Sequence, residues 1–394
     1  MSVPKLRFSG FAEKWNKKRL DSFLERVSNP VDVIKEQEYT QIGIRSHGKG
    51  IFHKEPINGL GLGNKRVFWV EPNAFVVNIV FAWERAIAVT TEAEKGMIAS
   101  HRFPMYLPKN NLSNVHFLRY LFVTDKGQSY LELASPGGAG RNKTLGQSNF
   151  AELKIDLPSL EEQTKIASFL SAVDEKISQF TQKHELLSQY KQGMVQKLFS
   201  QQIRFKADDG SEFGEWDQSE LKEVAQINPK VKKLPENFIY IDLESVEKGL
   251  LLLEKNITLS EAPSRAQRLL SKGDVLFQMV RPYQQNNYYF NLDGQYVAST
   301  GYAQIRTELN SKFIYYALHE KSFLDEVMNR CTGTSYPAIN SSDLSTIEIG
   351  IPCLEEQTKI ANFLSAIDQK IEVVAQQIEQ AKQWKKGLLQ QMFV

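Results

Sequence analysis

The stretch Pro158-Ser-Leu-Glu-Glu-Gln-Thr-Lys-Ile-Ala-Ser-Phe-Leu-Ser-Ala-Val-Asp-Glu-Lys-Ile177 occurs a second time in this sequence, as Pro352-Cys-Leu-Glu-Glu-Gln-Thr-Lys-Ile-Ala-Asn-Phe-Leu-Ser-Ala-Ile-Asp-Gln-Lys-Ile371. Sixteen of the 20 aligned positions are identical, which chance does not supply. The alignment continues without gaps to Phe199 and Phe393, with lower identity and the same apolar pattern. The chain is therefore a tandem duplication whose halves each end in the same amphipathic segment.

Shorter repeats lie at the beginning and near the end of each half. Leu6-Arg7-Phe8 corresponds to Ile203-Arg204-Phe205, and Phe117-Leu-Arg-Tyr120 corresponds to Phe313-Ile-Tyr-Tyr316. After each late repeat, a polar loop leads into a short apolar strand and a proline. Each half therefore contains a variable globular domain, a short strand, a proline and the long segment.

The repeated segment has the apolar period of a coiled coil. Its apolar residues recur in alternating steps of four and three, and this 3.5-residue period keeps one seam of a helix facing a partner helix. A helix of ~40 residues is roughly 60 Å long, which exceeds the width of a small domain and favours pairing of two such helices. The alternative is two amphipathic helices that each pack only on their own domain. The predicted seam consists of Ile166, Leu170, Val173, Ile177, Phe180, Leu187, Met194, Ile360, Leu364, Ile367, Ile371, Val374, Ile378 and Leu388.

The start of each helix carries its own signal. Ser159 precedes Glu162 by three residues, which predicts a capping box in the first copy. Cys353 replaces the serine in the second copy, so we expect a weaker cap there. Polar residues that interrupt a seam fix the helix register at some cost in stability; here they are His184, Lys191 and Lys385.

The predicted fold is α+β. Two globular domains are separated by two long antiparallel coiled-coil helices, and a pseudo-twofold axis relates the two halves of the repeat. The predicted boundaries are 1–157 for the first domain, 158–202 for the first helix, 203–351 for the second domain and 352–394 for the second helix.

Charge differs between the two variable domains, although the whole chain has a net charge of only +2. Residues 1–157 contain 22 basic and 15 acidic residues, a net charge of +7, whereas residues 204–351 contain 16 and 21, a net charge of −5. A positive domain is a candidate for contact with a polyanion. The negative domain needs its basic residues on one face to meet the same partner.

Composition and motifs exclude several classes of protein. Charged residues make up 24% and hydrophobic residues 42% of the 394 residues, which suits a chain with full cores in two domains. No apolar run spans a membrane, no leader pattern is present and two cysteines form no disulfide framework, so we predict a cytoplasmic protein. Gly137–Thr144 resembles a phosphate-binding loop, but Asn142 replaces the second glycine. We therefore predict a non-catalytic chain with no metal site.

The long repeat resembles a signature of a known family. The pattern Pro-x-Leu-Glu-Glu-Gln-x-x-Ile-Ala-x-Phe-Leu, at Pro158–Leu170 and Pro352–Leu364, resembles the repeats of the specificity (S) subunit of type I restriction-modification systems. Lys272–Phe277 followed by Arg281–Tyr283 is similar to a stretch of the family's target recognition domains. The resemblance covers essentially the whole chain.

The resemblance implies a DNA-recognition subunit of a type I restriction-modification complex. In that family each target recognition domain reads one half of a bipartite double-stranded DNA site, and the paired helices fix the spacer and dock two methyltransferase (M) subunits. Two restriction (R) subunits join the full complex. The implied activities are adenine-N6 methylation with S-adenosylmethionine and cleavage with ATP and Mg, and all three cofactors are expected on partner subunits. The alternative is a stand-alone DNA-binding or scaffold protein that recruits another partner through its coiled coil.

Both domains contain side chains suited to base contacts, because arginine pairs with guanine and asparagine or glutamine with adenine. For each of them the alternative is a solvated loop residue. The first domain departs from the family stretch, and Asn73–Asn78 and Trp83–Arg85 stand in its place. Its candidates are Arg45, His47, Lys49, Lys65, Arg66, Arg85, Arg102, Arg141, Asn142 and Lys143. The candidates of the second domain are Arg265, Gln267, Arg268, Arg281, Tyr283, Gln284, Gln285, Asn286, Asn287 and Tyr336, with Tyr336 expected in the loop that matches Arg141–Lys143.

Overall fold

The computed structural model describes residues 4–137, 143–231 and 233–393, which form two compact units. Unit 1 contains the described residues up to Thr181 and those from Gln376 onward, and unit 2 contains Gln182–Ala375. The first head is the part of unit 1 before Pro158, and the second head is residues 203–351 of unit 2. Each long helix contributes to both units, so the compact units do not end where the predicted domains end.

The first head is built from short strands and short helices. Its described elements are β1 (Asn16–Arg19), β2 (Leu24–Val27), β3 (Glu38–Tyr39), β4 (Ile42–Ile44), β5 (Ile51–His53), β6 (Ile57–Asn58), α1 (Gly59–Leu62), β7 (Val67–Trp69), β8 (Phe75–Val77), β9 (Ile87–Val89), β10 (Ile98–Ser100), β11 (Met105–Pro108), α2 (Val115–Phe122), α3 (Asp125–Leu133), α4 (Gln147–Glu152) and β12 (Lys154–Leu157). The helix α5 (Leu160–Phe199) follows it.

The second head has the same kind of elements. Those described are β13 (Asp217–Glu220), α6 (Leu221–Val224), β14 (Gln226–Ile227), β15 (Asn237–Ile241), β16 (Val246–Glu247), β17 (Leu250–Leu251), β18 (Lys255–Thr258), β19 (Ala266–Leu269), β20 (Val275–Gln278), β21 (Tyr288–Tyr289), β22 (Tyr296–Ser299), β23 (Tyr302–Arg306), α7 (Ser311–Ala317), α8 (Lys321–Asn329), α9 (Ser341–Ser345) and β24 (Glu348–Ile351). The helix α10 (Leu354–Met392) follows it.

The two heads share one antiparallel sheet. Its strand order is β2-β11-β8-β9 in the first head and β14-β23-β20-β21 in the second. The central strands β8 and β20 are buried along their whole length, which suits their apolar sequences. The two-stranded antiparallel pairs β1-β12 and β13-β24 are also equivalent. Among the described residues, only the second head has the sheet β18-β15-β22-β19 with a parallel pair inside it. The duplication is therefore retained in this sheet, in the strand pair before each long helix and in the short helices, and lost in the remaining strands.

Two short helices follow the shared sheet in each head. The side chain of Asn114 caps α2, and that of Asn310 caps α7. The helix-like stretch 115–133 is broken because the Thr124 side chain caps α3. Gly127 is required there, since an added Cβ would lie 2.1 Å from the carbonyl oxygen of Leu121.

The long helices pair in an antiparallel way. In unit 1 the first half of α5 shares a core with the last part of α10, and in unit 2 the first half of α10 shares a core with the last part of α5. The first half of each helix also packs on its own head. The alternative in which each helix packs only on its own domain is therefore wrong.

The predicted seam residues lie in or beside these cores. Those in the core of unit 1 are Ile166, Leu170, Val173 and Leu388, with Ile177 at its edge. Those in the core of unit 2 are Ile360, Leu364 and Ile367, with Met194 and Ile371 at its edge. Near the middle of the helices, Val374 and Ile378 are buried, and Phe180 and Leu187 are half-buried. Among the described residues, none of the helices combines the length and the apolar character needed to cross a membrane.

The predicted capping box is only half formed. The backbone N–H of Glu162 donates to the Ser159 hydroxyl at 3.3 Å, as predicted. The Glu162 carboxylate does not return to the cap, because the guanidinium of Arg7 takes both of its oxygens. In α10 the residue before the first turn is Cys353, which supplies no hydroxyl.

Candidate nucleic-acid interface

The most strongly repeated residues fasten each head to its helix. Arg7 donates to Glu162 at 2.8 and 2.7 Å, and Arg204 donates to Glu356 at 3.0 and 2.7 Å. Both carboxylates are almost fully buried, and the hydrogen bond to the carboxylate raises the pKa of each guanidinium. The identity of the two copies at this position therefore has a structural reason, since a buried carboxylate needs its partner.

The next residue of the repeat makes a second attachment. The side chain of Gln163 accepts from the backbone N–H of Asn114 at 2.9 Å and donates to the carbonyl of Pro158 at 3.0 Å. Gln357 makes the same two contacts, with Asn310 at 3.2 Å and Pro352 at 2.8 Å. These bonds connect the N-cap residue of α2 or α7 to the start of the long helix that follows it.

A tyrosine, an aspartate and a lysine join three elements in each unit. The Tyr120 hydroxyl donates to Asp174 at 2.8 Å, and Asp174 also pairs with Lys385. In unit 2, Tyr316 donates to Asp368 at 2.6 Å, and Lys191 lies 2.6 Å from Asp368. The two lysines that interrupt the seam are thus matched by acids on the other helix. This pairing gives a physical basis for their predicted role in setting the helix register.

Equivalent turns connect a middle strand of the shared sheet to its neighbouring edge strand. Turn 1 is residues 78–86, between β8 and β9, and turn 2 is residues 279–287, between β20 and β21. Each contains one 3-10 turn, at Ala82–Glu84 or Pro282–Gln284, and each leaves it through a left-handed residue, Arg85 with φ of 60° or Gln285 with φ of 52°. The family stretch in the second head and its replacement in the first therefore occupy the same place in the fold.

Turn 1 gathers basic candidates of the first head around it. The backbone N–H groups of His47 and Gly48 donate to the carbonyls of Glu84 and Arg85 at 2.7 and 2.9 Å. The loop that joins β4 to β5 is thereby fixed against turn 1, and it brings the exposed side chains of Arg45, His47 and Lys49 with it.

Arg85 itself is committed inside the head. Its Nε donates to Gln128 at 2.8 Å, its Nη1 to the carbonyl of Val123 at 2.9 Å and its Nη2 to Asp125 at 2.7 Å. Three of its nitrogens are therefore used to hold turn 1 on the helix pair α2–α3. Arg85 therefore supports turn 1, and its guanidinium is not directed toward a binding partner.

Backbone hydrogen bonds at strand ends link the other basic candidates of the first head to turn 1. Ile79 in turn 1 donates its N–H to the carbonyl of Arg102 at 3.0 Å, and His101 donates to the carbonyl of Arg66 at 3.2 Å. Lys65, Arg66 and Arg102 are exposed. Leu145 donates to the carbonyl of Ile79 at 2.8 Å, which places the half-buried Lys143 near turn 1.

The loop beside each turn is also equivalent in the two heads. Ile339 donates to Met279 at 3.0 Å, as Leu145 does to Ile79 in the first head. A bridge between Thr332 and Ala338 in the second head corresponds to one between Gly137 and Thr144 in the first. Tyr336 therefore lies in the loop of the second head that corresponds to the one bridged by Gly137 and Thr144 in the first. Arg141 and Asn142 lie outside the described residues.

Turn 2 is held by neutral amides. The buried side chain of Gln278 donates to the carbonyl of Val280 at 2.8 Å and to Oε1 of Gln284 at 2.9 Å, and it accepts from the backbone N–H of Asn286 at 3.1 Å. Asn287 is only 1% exposed, so it is a support of the turn and not a surface group. Its Oδ1 accepts from the backbone N–H of Gln278 at 2.9 Å, and its amide nitrogen lies 3.4 Å from Nε2 of His319.

Aromatic groups stand beside turn 2. Arg281 donates its backbone N–H to the carbonyl of Pro337 at 2.7 Å, and its guanidinium carbon lies 4.3 Å from the centre of the Tyr336 ring. Tyr336 is 62% exposed and Tyr283 is 51% exposed. Exposed rings next to a cation and several amides suit stacking and hydrogen bonding to a nucleic acid.

The acidic character of the second head persists at turn 2. A groove of about 670 Å³ beside the turn is lined by Gln278, Gln284 and Asn286, and it contains Lys248 and Arg281 as well as Glu244 and Glu247. The expected concentration of basic residues is therefore not found in this groove. A partner that binds in this groove meets amides together with two cations and two carboxylates, so the groove has no excess of positive charge.

The remaining candidates of the second head, Arg265, Gln267 and Arg268, lie in β19 or directly before it. Arg265 and Gln267 are exposed, and Gln267 donates to the carbonyl of Ser264 at 2.7 Å. Arg268 is half-buried, its Nε has no hydrogen-bond partner among the described residues, and burial lowers the pKa of its guanidinium. Within the described part of the chain, none of these three side chains hydrogen-bonds to turn 2.

Sequence reasoning missed the residues that hold the turns. Gln128, Gln278 and His319 are single residues in unremarkable surroundings, and their partners are distant in sequence. Asp274 did carry a signal, because it lies in the Lys-Gly-Asp stretch that resembles the family. It is 1% exposed and accepts from Arg306 at 2.7 Å, so this stretch stabilises the sheet edge next to β20.

Comparison with known proteins gives consistent results. The family described as "Type I restriction modification DNA specificity domain" matches residues 13–188 and again 214–383. The MjaVIII specificity subunit of a type I restriction enzyme from Methanocaldococcus jannaschii is 26% identical over 96% of this chain and 91% of its own length. The HindI specificity subunit from Haemophilus influenzae is 25% identical over 40% of this chain and 36% of its own length.

Solved structures agree in fold. The S subunit of a type I restriction-modification system from M. genitalium has a TM-score of 0.60 at 16% identity and covers 100% of this chain and 99% of its own. A chain from a study of complex assembly and conformational transition in the type I R-M system has a TM-score of 0.59 at 20% identity and covers 97% and 98%. At these identities the likeness shows that the duplicated α+β architecture is shared.

Proposed function

The chain belongs to the type I restriction-modification DNA specificity family, and on this premise we propose that it selects DNA through two half-sites, one for each head. The observation that carries the proposal is the pair of equivalent turns. Turn 1 and turn 2 occupy the same place in a duplicated sheet, yet turn 1 is held by the guanidinium of Arg85 and turn 2 by the amide of Gln278. A duplicated frame with two different reading surfaces suits a bipartite target whose halves differ in sequence.

The two heads meet DNA by different chemistry in this proposal. In the first head, Arg45, Lys49, Lys65, Arg66 and Arg102 supply exposed cations around turn 1, which suit phosphate contacts and guanine readout. In the second head, Tyr283, Gln284, Asn286 and Tyr336 supply neutral donors and rings, with Arg281 as the adjacent cation. The net charges of +7 and −5 are compatible with this division.

The activity of the assembled complex is proposed to lie on partner subunits. Two methyltransferase subunits would bring S-adenosylmethionine and methylate adenine, and two restriction subunits would bring ATP and Mg. The chain itself is proposed to be non-catalytic and cytoplasmic. The paired long helices are proposed to fix the spacer between the half-sites and to dock the methyltransferase subunits, which is supported by their lengths of 40 and 39 residues.

A stand-alone DNA-binding or scaffold protein is the second candidate. The long helices favour it to the extent that a coiled coil can recruit many kinds of partner. It predicts selective DNA binding by the isolated chain and no dependence on a methyltransferase. The genes next to this one discriminate the two, because the leading proposal expects a methyltransferase with an Asn-Pro-Pro-Phe-type motif.

The decisive experiment is to purify the chain alone and together with that methyltransferase, and to sequence the methylated sites in DNA exposed to each sample. We expect a bipartite methylated motif only with both proteins present. Exchange of the first head for that of another family member should change one half of the motif and leave the other unchanged. A single continuous motif, or no methylation with both proteins present, would contradict the proposal.

The role of the helices is tested by deleting one heptad from the middle of α5 alone. Because the seam of α5 is matched to that of α10, a one-sided deletion should disrupt assembly or alter the spacer of the motif. The control deletes the matching heptad from both helices. An unchanged motif after the one-sided deletion would show that the helices do not set the spacer.

A further inference from the structure

We propose that Gln284 reads a hydrogen-bond acceptor in the half-site of the second head, and that the buried Gln278 determines this polarity. The inference rests on the proposed function and adds to it the identity of one reading group and the kind of base edge that it recognises. The geometry points to it through a series of hydrogen bonds that begins in the core of the head and ends at an exposed amide.

The orientation of the Gln278 amide is fixed by the backbone. Its nitrogen lies 2.8 Å from the carbonyl oxygen of Val280, which only accepts, and its oxygen lies 3.1 Å from the backbone N–H of Asn286, which only donates. The side chain is 2% exposed, so exchange of these partners for water is disfavoured. The amide of Gln278 therefore presents an N–H, and not an oxygen, toward Gln284.

This orientation sets that of Gln284. Nε2 of Gln278 donates to Oε1 of Gln284 at 2.9 Å. The oxygen of Gln284 is thus turned toward the head, and its amide nitrogen has no hydrogen-bond partner within the described part of the chain. Gln284 is exposed and lines the groove beside turn 2, so this nitrogen is available to a partner.

Asn286 is oriented in the same sense. Its Oδ1 accepts from the backbone N–H of Lys248 at 3.0 Å. Lys248 and Gly249 form the left-handed turn between β16 and β17, with φ of 49° and 80°. Gly249 admits no side chain, because an added Cβ would lie 2.5 Å from the Tyr315 hydroxyl. The hairpin therefore packs against α7, and its Lys248 N–H holds the oxygen of Asn286 inward.

The base of the network is also fixed. Nδ1 of His319 lies 2.7 Å from the carbonyl of Tyr315 and must donate to it, which leaves Nε2 as an acceptor for the amide nitrogen of Asn287 in the neutral ring. Asn287 then accepts from the backbone N–H of Gln278 through its oxygen. With this assignment the outermost groups are the N–H donors of Gln284 and Asn286.

This arrangement differs from the usual contact of glutamine with adenine. That contact uses the amide oxygen and nitrogen together, on N6 and N7 of the base. Because the oxygen of Gln284 is held by Gln278, donors are what it offers. Groups that accept in the major groove are N7 and O6 of guanine, N7 of adenine and O4 of thymine. We therefore assign Gln284 to one of these acceptors, and not to a base that must donate.

The test uses the complex of this chain with its methyltransferase and DNA in which single acceptors of the second half-site are removed. 7-Deazapurines remove N7, 2-aminopurine removes O6 of guanine, and 5-methyl-2-pyrimidinone removes O4 of thymine. We expect one such analogue to weaken binding of the unchanged chain by about 10-fold. The Gln284→Glu variant keeps the oxygen that Gln278 needs and loses the donors, so it should bind normal DNA about 10-fold more weakly and should not respond to the same analogue.

A second variant tests the role of Gln278 as a positioning residue. Gln278→Leu removes the bonds that orient Gln284, so the half-site of the second head should lose its preference at the same position while the half-site of the first head is unchanged. Gln226→Glu is the matched control, because Gln226 is an exposed glutamine of the same head on β14, the edge strand of the shared sheet farthest from β21. The control should retain the motif, and melting measurements on all variants report whether they fold.

The outcomes separate this inference from the proposed function. If Gln284→Glu keeps the full response to every acceptor-deleted analogue, the assigned polarity is wrong. It is also wrong if the variant loses its response to analogues that remove donors, namely purine in place of adenine or 2-pyrimidinone in place of cytosine. If the unchanged complex shows no sequence preference in the second half-site at all, the proposed function of the second head fails. If it shows the preference and Gln278→Leu leaves it unaltered, the role of Gln278 fails alone.

Discussion

Turn 1 and turn 2 occupy the same place in the two heads, but they are held by opposite means. Arg85 clamps turn 1 with a cation whose donors reach Gln128, Asp125 and the backbone of Val123. Turn 2 is held by the amides of Gln278 and Asn287 and by His319. In the alignment of the late repeats, Val123 and His319 are equivalent positions, so both turns are hydrogen-bonded to the same position of the shared fold. Duplicated heads can thus change the chemistry of their surface while the point of support stays constant.

The shared frame is where the largest effect is expected. Replacement of Arg7 by methionine leaves the Glu162 carboxylate buried without its partner and should destabilise unit 1 by about 3 kcal/mol. The matched variant, Arg204→Met, should cost less, because the indole N–H of Trp216 still donates to Glu356 at 3.1 Å, whereas Trp15 has no such bond in the described structure. Hydrogen exchange of each unit during denaturant titration measures the two losses. Equal losses would show that the tryptophan bond does not matter.

The clamp of turn 1 gives the next effect. Arg85→Met removes the hydrogen bonds to Gln128 and Val123, so turn 1 should loosen and the free energy of unfolding should fall by about 2 kcal/mol. The motif should lose definition in the half-site of the first head only. At the equivalent position, Gln285→Gly should be neutral or slightly stabilising, because glycine adopts positive φ without strain. Sequencing of methylated sites and melting curves provide both readouts, and a loss in the half-site of the second head after Arg85→Met would contradict the comparison.

Acid should weaken unit 2 through His319. Burial lowers the pKa of His319 in the folded chain to about 4, below the ordinary value of about 6.5, so the unfolded chain binds more protons between these values. The stability that the neutral ring contributes is present above pH 6.5 and is lost as the pH falls toward 4. Unfolding of unit 2 at pH 7 and pH 5 should differ by about 2 kcal/mol more in the unchanged chain than in His319→Gln. Replacement of the exposed His101 by glutamine is the control, and an identical pH dependence in the chain with and without His319 would exclude this role.

The smallest effect is expected at the helix starts. Cys353→Ser supplies the hydroxyl that Ser159 already offers to the N–H of Glu162, so it should stabilise unit 2 by about 0.5–1 kcal/mol. Ser159→Cys makes the opposite change in unit 1 and should destabilise it by a similar amount. The melting temperatures of the two variants should therefore shift in opposite directions. Shifts of the same sign would show that the caps do not account for the difference between the two starts.

The sequence predicted the parts of the molecule that depend on local pattern. The 3.5-residue period identified the two long helices and their seam, because each seam residue recurs at the spacing that a helix imposes. The short repeats identified the strand before each helix and the place of Tyr336. Because these elements occur in both halves of the duplication, the pattern in one half supports the interpretation of the other.

What the sequence did not predict depends on contacts between distant residues. Arg85 and Asn287 were chosen as base-reading candidates for their donors, but the fold directs those donors inward, to α2–α3 and to His319. Gln278 carries no sequence signal, since its importance arises from two backbone groups that turn 2 brings to it. The half-formed capping box has the same cause, because Arg7 competes for the Glu162 carboxylate from 155 residues away.

The exchange of helix ends between the units has a consequence for the order in which the chain folds. Unit 2 is one uninterrupted segment, Gln182–Ala375, whereas unit 1 needs Leu388, Met392 and Phe393, which the ribosome makes after the whole of unit 2. The ring centres of Trp15 and Phe393 are 6.4 Å apart, and the Leu6 N–H donates to the carbonyl of Gln391 at 3.1 Å, so the segment before β1 cannot complete its contacts until residues 388–393 are made. During synthesis the second head can be complete while the first still exposes apolar surface, which makes the first head the part that depends on rapid synthesis of residues 376–393.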